Sequence, residues 1–152
     1  MPIFRKNGRK GKKMTRHELR EAVLQMLFET EFRQDELPED IFMISAENRE
    51  YGPAEQNEIR KIYFDILSHK EEIDALINQA SSGWKTSRIS KLSLSIMRLC
   101  VYEMKYREDI PVSVSLNEAV ELSKTFDEPK AKTFVNGVLN GIKNQLQKGT
   151  EQ

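Results

Sequence analysis

Three side chains of this 152-residue chain could serve as a proton carrier, a soft metal ligand or a nucleophile: His17, His69 and Cys100. They stand far apart in sequence. Zinc sites built from His and Cys bring ligands in pairs a few residues apart, and no such pair occurs. Glu118 and Glu121 are close enough for acid–base work on one substrate. That spacing is also the ordinary pattern of a solvated helix face. Cys100 falls inside an apolar run, Leu94 to Met104, where a thiol behaves as a small core hydrophobe. There is no glycine-rich phosphate loop and no G-x-S-x-G. Neither catalysis, a metal, a cofactor nor a small-molecule substrate finds support in these residues.

The basic residues tell more. Net charge is zero, from 24 Lys and Arg against 24 Asp and Glu, but the charge is unevenly spread. Residues 1–20 hold eight bases (Arg5, Lys6, Arg9, Lys10, Lys12, Lys13, Arg16 and Arg20) and one acid, Glu18, giving +7. The other 132 residues hold 16 bases and 23 acids, giving −7. A basic arm on an acidic body points to a nucleic acid, because guanidinium and ammonium groups neutralise phosphates and release counterions. The competing reading is a solvated tail. Charge alone supplies no sequence choice. RNA is chosen mostly through unstacked bases, by stacking and by hydrogen bonds to base edges. Phe134 and Asn136 are the candidates for those two roles. Equally, Phe134 could be core and Asn136 a helix cap or crosslink. His17, Arg98, Lys130 and Lys132 could extend the basic surface. Arg98 could instead pair internally with Glu103 or Glu121.

The remaining composition bounds the fold. Charged residues make up 32% and apolar residues 38%, as in a soluble globular domain. No apolar run approaches the ~20 residues of a membrane span. The basic N-terminus has no apolar stretch after it, so no secretory signal is read there. A single cysteine fits a reducing cytoplasm. The chain is expected to form one domain over 14–147, with a disordered basic arm at 1–13 and a short tail at 148–152.

Helical spacing runs through that domain. Thr15-Arg-His-Glu18 has the pattern of a capping box and should start a helix. Leu19, Val23, Met26 and Leu27 mark one face of it; Leu24, Phe28 and Phe32 mark a second. So wide a stripe implies burial on two sides, or a core on one side and a partner on the other. Pro38 opens a short helix of a turn or two, and residues 45–53 read as a loop. Ile59, Ile62, Tyr63, Ile66 and Leu67 form a clean stripe, and Ile73, Leu76, Ile77 and Ala80 form another. A short segment from Trp84 to Leu92 follows. Leu94 to Met104 is apolar all round and should be the most buried helix. Ile110 to Leu116 alternates like a strand but has no partner strand, so it reads as an extended lead-in to a helix ending at Phe126. The last helix spans about 131–146, with Val135, Val138, Leu139, Ile142 and Leu146 inward. Gly137 and Gly141 lie four apart in it. Each costs about 1 kcal/mol of helix propensity, which a closely crossing backbone would explain. The sum is an all-α bundle of about seven helices.

Four segments, in order, resemble the signature of the NusB family. Arg20-Glu-Ala-Val-Leu-Gln-Met-Leu-Phe28 is similar to the family's first helix, R-E-x-A-x-Q-x-L-Y. Arg88-Ile89, Ile96-Met-Arg-Leu99 and Tyr102-Glu-Met104 are similar to its R-L…I-L-R-L…Y-E-L run. Asn117-Glu-Ala-Val-Glu-Leu-Ser-Lys-Thr-Phe126 and Lys132-Thr-Phe-Val-Asn-Gly-Val-Leu139 complete the match, which covers roughly residues 14–146. The resemblance implies a transcription antitermination factor. In that family the protein pairs with NusE, a small-subunit ribosomal protein, binds boxA RNA and joins a complex on RNA polymerase. The implied partner face includes Leu24 and Phe28 on the first helix, and Ser93. Phe28 replaces the family's tyrosine and Ser93 an acid, so the ring contact survives and two polar contacts go. The rival readings are a NusB-like accessory domain of an RNA cytosine methyltransferase and a helical protein-binding adaptor.

Overall fold

The structure, a computed structural model, describes residues 13–82 and 88–150, with side chains to 148. Among these residues there are seven α-helices and no strand. They are α1 (Arg16–Phe32), α2 (Pro38–Arg49), α3 (Pro53–Ser68), α4 (Lys70–Ala80), α5 (Lys91–Tyr106), α6 (Val112–Phe126) and α7 (Ala131–Thr150). They fall into two compact units, one ending at Ser68 and the other beginning at His69.

Local chemistry sets the helix ends. At α1 the Thr15 hydroxyl accepts from the Glu18 N–H, and the Glu18 carboxylate accepts from the Thr15 N–H, which completes the capping box. Pro38 occupies the first turn of α2, where its missing N–H costs nothing. Glu50 ends α2 in the left-handed region at φ 56°. The Ser90 hydroxyl caps α5 by accepting from the Ser93 N–H at 3.1 Å.

In the first unit α1 packs on both α2 and α3. Its core gathers Leu19, Val23, Leu24, Met26 and Leu27 with Ile41 and Phe42 of α2 and Ile59, Ile62, Tyr63 and Ile66 of α3. Thr30 donates its only hydroxyl proton to the Met26 carbonyl at 2.7 Å. The 2.6 Å contact between Thr30 and the Tyr63 hydroxyl is therefore donated by Tyr63. In the second unit α5 is central, packing on α4, α6 and α7. Every residue from Leu92 to Glu103 is buried, as the apolar run implied. From α7, Val135, Val138, Leu139 and Ile142 enter this core.

Three expectations about local structure change. Residues 45–49 are helical rather than loop, because Ser45 and Ala46 are small residues buried on the inner face of α2. Val112 to Leu116 is the start of α6 rather than an extended segment. Pro111 stands at its N-cap, and the apparent alternation reflects only that Ser115 points inward between two valines and Leu116. The last helix continues to Thr150. The expected segment from Trp84 lies largely outside the described residues.

Candidate nucleic-acid interface

Two stretches carry the candidate cations. Of the first, Arg5, Lys6, Arg9, Lys10 and Lys12 lie outside the described residues. Lys13 is exposed. Arg16 is exposed in the first turn of α1 and meets Glu58 of α3 at 3.0 Å. An ion pair that open to water is worth little, so Arg16 can exchange Glu58 for a phosphate at small cost. His17 sits one turn before Glu21 and bridges to it at 2.8 Å, over a fully buried carboxylate. Arg20 is buried. Its place is in the packing of α1, a correction to its expected role beside Arg16.

The second stretch is the start of α7. Lys130 precedes the helix and is exposed, as are Lys132, Asn136 and Gly137. Lys132, Asn136 and Asn140 follow one another at four-residue steps and share a face. Asn140 donates to the Asn136 carbonyl at 2.8 Å and to its side-chain oxygen at 3.1 Å. This engages the oxygen of the exposed Asn136 amide and leaves its NH₂ as a donor. The group therefore offers donors to a base edge or a phosphate. Phe134 is half-buried and lies on the other flank, about 160° around the helix from Asn136 at 100° per residue. The two side chains can address RNA only at different nucleotides. Between them a Cβ added at Gly137 would meet no atom within 4 Å, and one at Gly141 would meet only the Ala80 Cβ, at 3.8 Å. No backbone crosses close to Gly137, which corrects the explanation expected for its helix-propensity cost. Its face is open.

The match to known proteins is extensive. The family model for NusB fits residues 17–144. The chain belongs to the NusB family. It is 45% identical over 127 residues to the transcription antitermination protein NusB of Agathobacter rectalis, across 83% of this chain and 97% of that one. NusB of T. maritima superposes with a TM-score of 0.81 at 31% identity, covering 88% of this chain and 94% of that chain. A crystal structure of the antitermination factors NusB and NusE with double-stranded RNA shares the fold, with a TM-score of 0.76 at 24% identity, covering 87% and 99%.

Within this NusB frame, three candidate site residues move into the core. Arg98 is 5% exposed. Its Nε and Nη2 both donate to the Asp74 carboxylate at 2.8 Å, a two-pronged clamp between α5 and α4. It pairs internally, as one reading held, but with Asp74 rather than Glu103 or Glu121, and this removes it from the RNA surface. Glu103 instead accepts from the Ser115 hydroxyl at 2.8 Å. Leu24 is fully buried, so no docked protein can reach it. Ser93 is buried and donates to the Asp127 carboxylate at 2.5 Å. It ties the start of α5 to the end of α6 and is not open to a partner. Phe28 differs: it is half-buried, with its ring 4.8 Å from that of Phe32 in an edge-on arrangement. Phe32 itself is largely exposed.

Sequence reasoning missed Asn140, the residue that orients Asn136. Its four-residue spacing from Asn136 was the available signal. It also missed Asp74 and Asp127, which hold Arg98 and Ser93 from distant helices and have no local signature.

Proposed function

We propose that this NusB-family chain is a transcription antitermination factor without catalytic activity. It binds boxA-type single-stranded RNA together with NusE and joins an antitermination complex on RNA polymerase in the cytoplasm. Phosphates are held by the basic arm with Lys13 and Arg16, and by Lys130 and Lys132. Bases are addressed by Phe134 through stacking and by Asn136 through its amide donors. NusE meets the Phe28 end of α1.

One observation carries this reading. The F-V-N-G-V-L segment presents an exposed amide held ready by Asn140, next to a glycine with open space above it and two exposed lysines one turn away. Such a surface suits close approach by a nucleic-acid strand, since phosphate contacts fix position and base contacts give choice. The family's name and the match of four segments in register support the same activity. Among the described residues, no helix is long and apolar enough to cross a membrane.

Fluorescence anisotropy with labelled boxA-type RNA, and with a scrambled RNA of equal length, tests the proposal with and without NusE. Tighter binding to the boxA-type RNA, strengthened by NusE, is expected. Equal affinity for both sequences under both conditions would overturn it.

A further inference from the structure

The outer face of α2 has no role in the reading above. Leu37, Met43 and Ile44 are 68%, 57% and 47% exposed there. Asp40, Glu47 and Glu50 are exposed alongside them. At 100° per residue all six fall within about 140° of one another, opposite the inward Ile41, Phe42, Ser45 and Ala46. The surroundings are acidic. Residues 35–50 contain six acids (Asp35, Glu36, Glu39, Asp40, Glu47 and Glu50) and one base, Arg49, for a net −5. Glu39 is already engaged by Arg60, which clamps it with two hydrogen bonds, and Glu36 faces Arg33. Asp40, Glu47 and Glu50 have no such cation among the described residues.

The same chain holds the complement. Residues 1–12 carry Arg5, Lys6, Arg9, Lys10 and Lys12 and no acid, a net +5. They also carry Ile3 and Phe4 next to those charges. The arm is within reach. It joins the described residues at Lys13, just before α1. Arg16 in the first turn of α1 touches Glu58, near the start of α3 and eight residues beyond Glu50. Ten extended residues span up to about 33 Å, against about 18 Å for the 12 residues of α2.

We propose that the outer face of α2 is a docking site for the chain's own basic arm, residues 1–12. Ile3 and Phe4 cover Leu37, Met43 and Ile44, and the arm's cations face Asp40, Glu47 and Glu50. The arm then has two acidic ligands, α2 and RNA phosphate, and holds only one at a time. The docking rests on α2 and the arm alone; its effect on RNA rests on the function proposed above. Docking hides an apolar face that would otherwise invite association, and it makes the arm's contribution to RNA affinity smaller than its charge implies.

The test compares amide resonances of the full chain with those of residues 13–152 at low salt. Removing the arm should shift Leu37, Met43, Ile44 and Glu47. The same shifts should appear in the full chain on adding salt, and in the exposed double variant Asp40→Asn/Glu47→Gln. An α2 unmoved by loss of the arm would overturn the proposal. So would α2 shifts that fade on dilution of the full chain, because the arm would then be docking on a second copy. In RNA titrations the double variant of the full chain should bind about two- to tenfold more tightly, as two exposed charge pairs would be released. The same substitutions in residues 13–152 should leave affinity unchanged. Equal gains in both backgrounds would overturn the competition. If neither protein binds RNA, the functional reading fails, and the resonance shifts still decide the docking.

Discussion

Replacing Gly137 by alanine should change stability and RNA affinity in opposite directions. Gly137 is the seventh residue of the 20-residue α7, well inside the helix. Glycine there costs about 0.8–1.0 kcal/mol relative to alanine, because the unfolded chain has more conformations to lose. Two effects could offset that gain, a clash or a lost close contact. Neither applies, because a Cβ at this position meets nothing within 4 Å. The full propensity difference should therefore appear, about 1 kcal/mol of stabilisation. In a domain of this size that raises Tm by about 2–4 °C. The new methyl also projects from the face between Asn136 and Phe134, where an RNA strand is proposed to approach. Affinity for boxA-type RNA should fall while the protein becomes harder to unfold. Thermal unfolding and anisotropy titration on the same sample read both. A lower Tm would refute the view of Gly137 as uncovered helix surface, and an unchanged affinity would refute the approach of RNA at this point.

Other expectations follow from single contacts. Asp74→Asn leaves Arg98 buried with half its clamp and should cost about 3 kcal/mol in urea unfolding; a loss below about 1 kcal/mol would mean the pair behaves as a surface one. Burial pushes the Tyr51 hydroxyl up to about 12 from its ordinary value near 10. The folded state therefore keeps this proton where the unfolded state has lost it, so the contribution is intact below pH 10 and disappears as pH rises toward 12. Burial raises the Tyr63 hydroxyl as well, so ultraviolet titration should show two tyrosines ionising late, and Tyr51→Phe should remove one of them; if both late steps persist, Tyr51 is not one of the late groups. Phe28→Asp should weaken NusE binding with the circular dichroism spectrum unchanged, whereas loss of helix signal would return Phe28 to a purely core role.

Long, repetitive features of the fold were legible in the sequence. The stripe Ile59, Ile62, Tyr63 and Ile66 and the stripe Val135, Val138, Leu139 and Ile142 both face inward, and the capping box at Thr15 starts α1. Periodicity of apolar residues reports burial directly when the buried residues are large. It failed where they are small or polar: Ser45 and Ala46 hide the second half of α2, and Ser115 hides the first turn of α6. The candidate site divides in the same way. Lys132 and Asn136 share an exposed helix face that spacing alone predicts. Arg98 and Ser93 turned inward because of acids 24 and 34 residues away, at Asp74 and Asp127. A single sequence carries no local mark of such tertiary pairs. A mid-helix glycine such as Gly137 carries an expected cost on sequence alone, but only its surroundings in the fold distinguish a covered glycine from an open one.

The claim that RNA lies along the start of α7 is tested most directly by the salt dependence of binding in Lys130→Ala/Lys132→Ala. For single-stranded RNA, log K falls with log salt by about 0.7 per phosphate neutralised. With Arg20 buried, about half of the other seven N-terminal bases engaged would alone give a slope of roughly −2.5. Both lysines are exposed, so their loss should not disturb folding. If each holds one phosphate, the double variant should bind boxA-type RNA with a slope shallower by about 1.4. An unchanged slope would place the RNA elsewhere on the molecule and contradict the account.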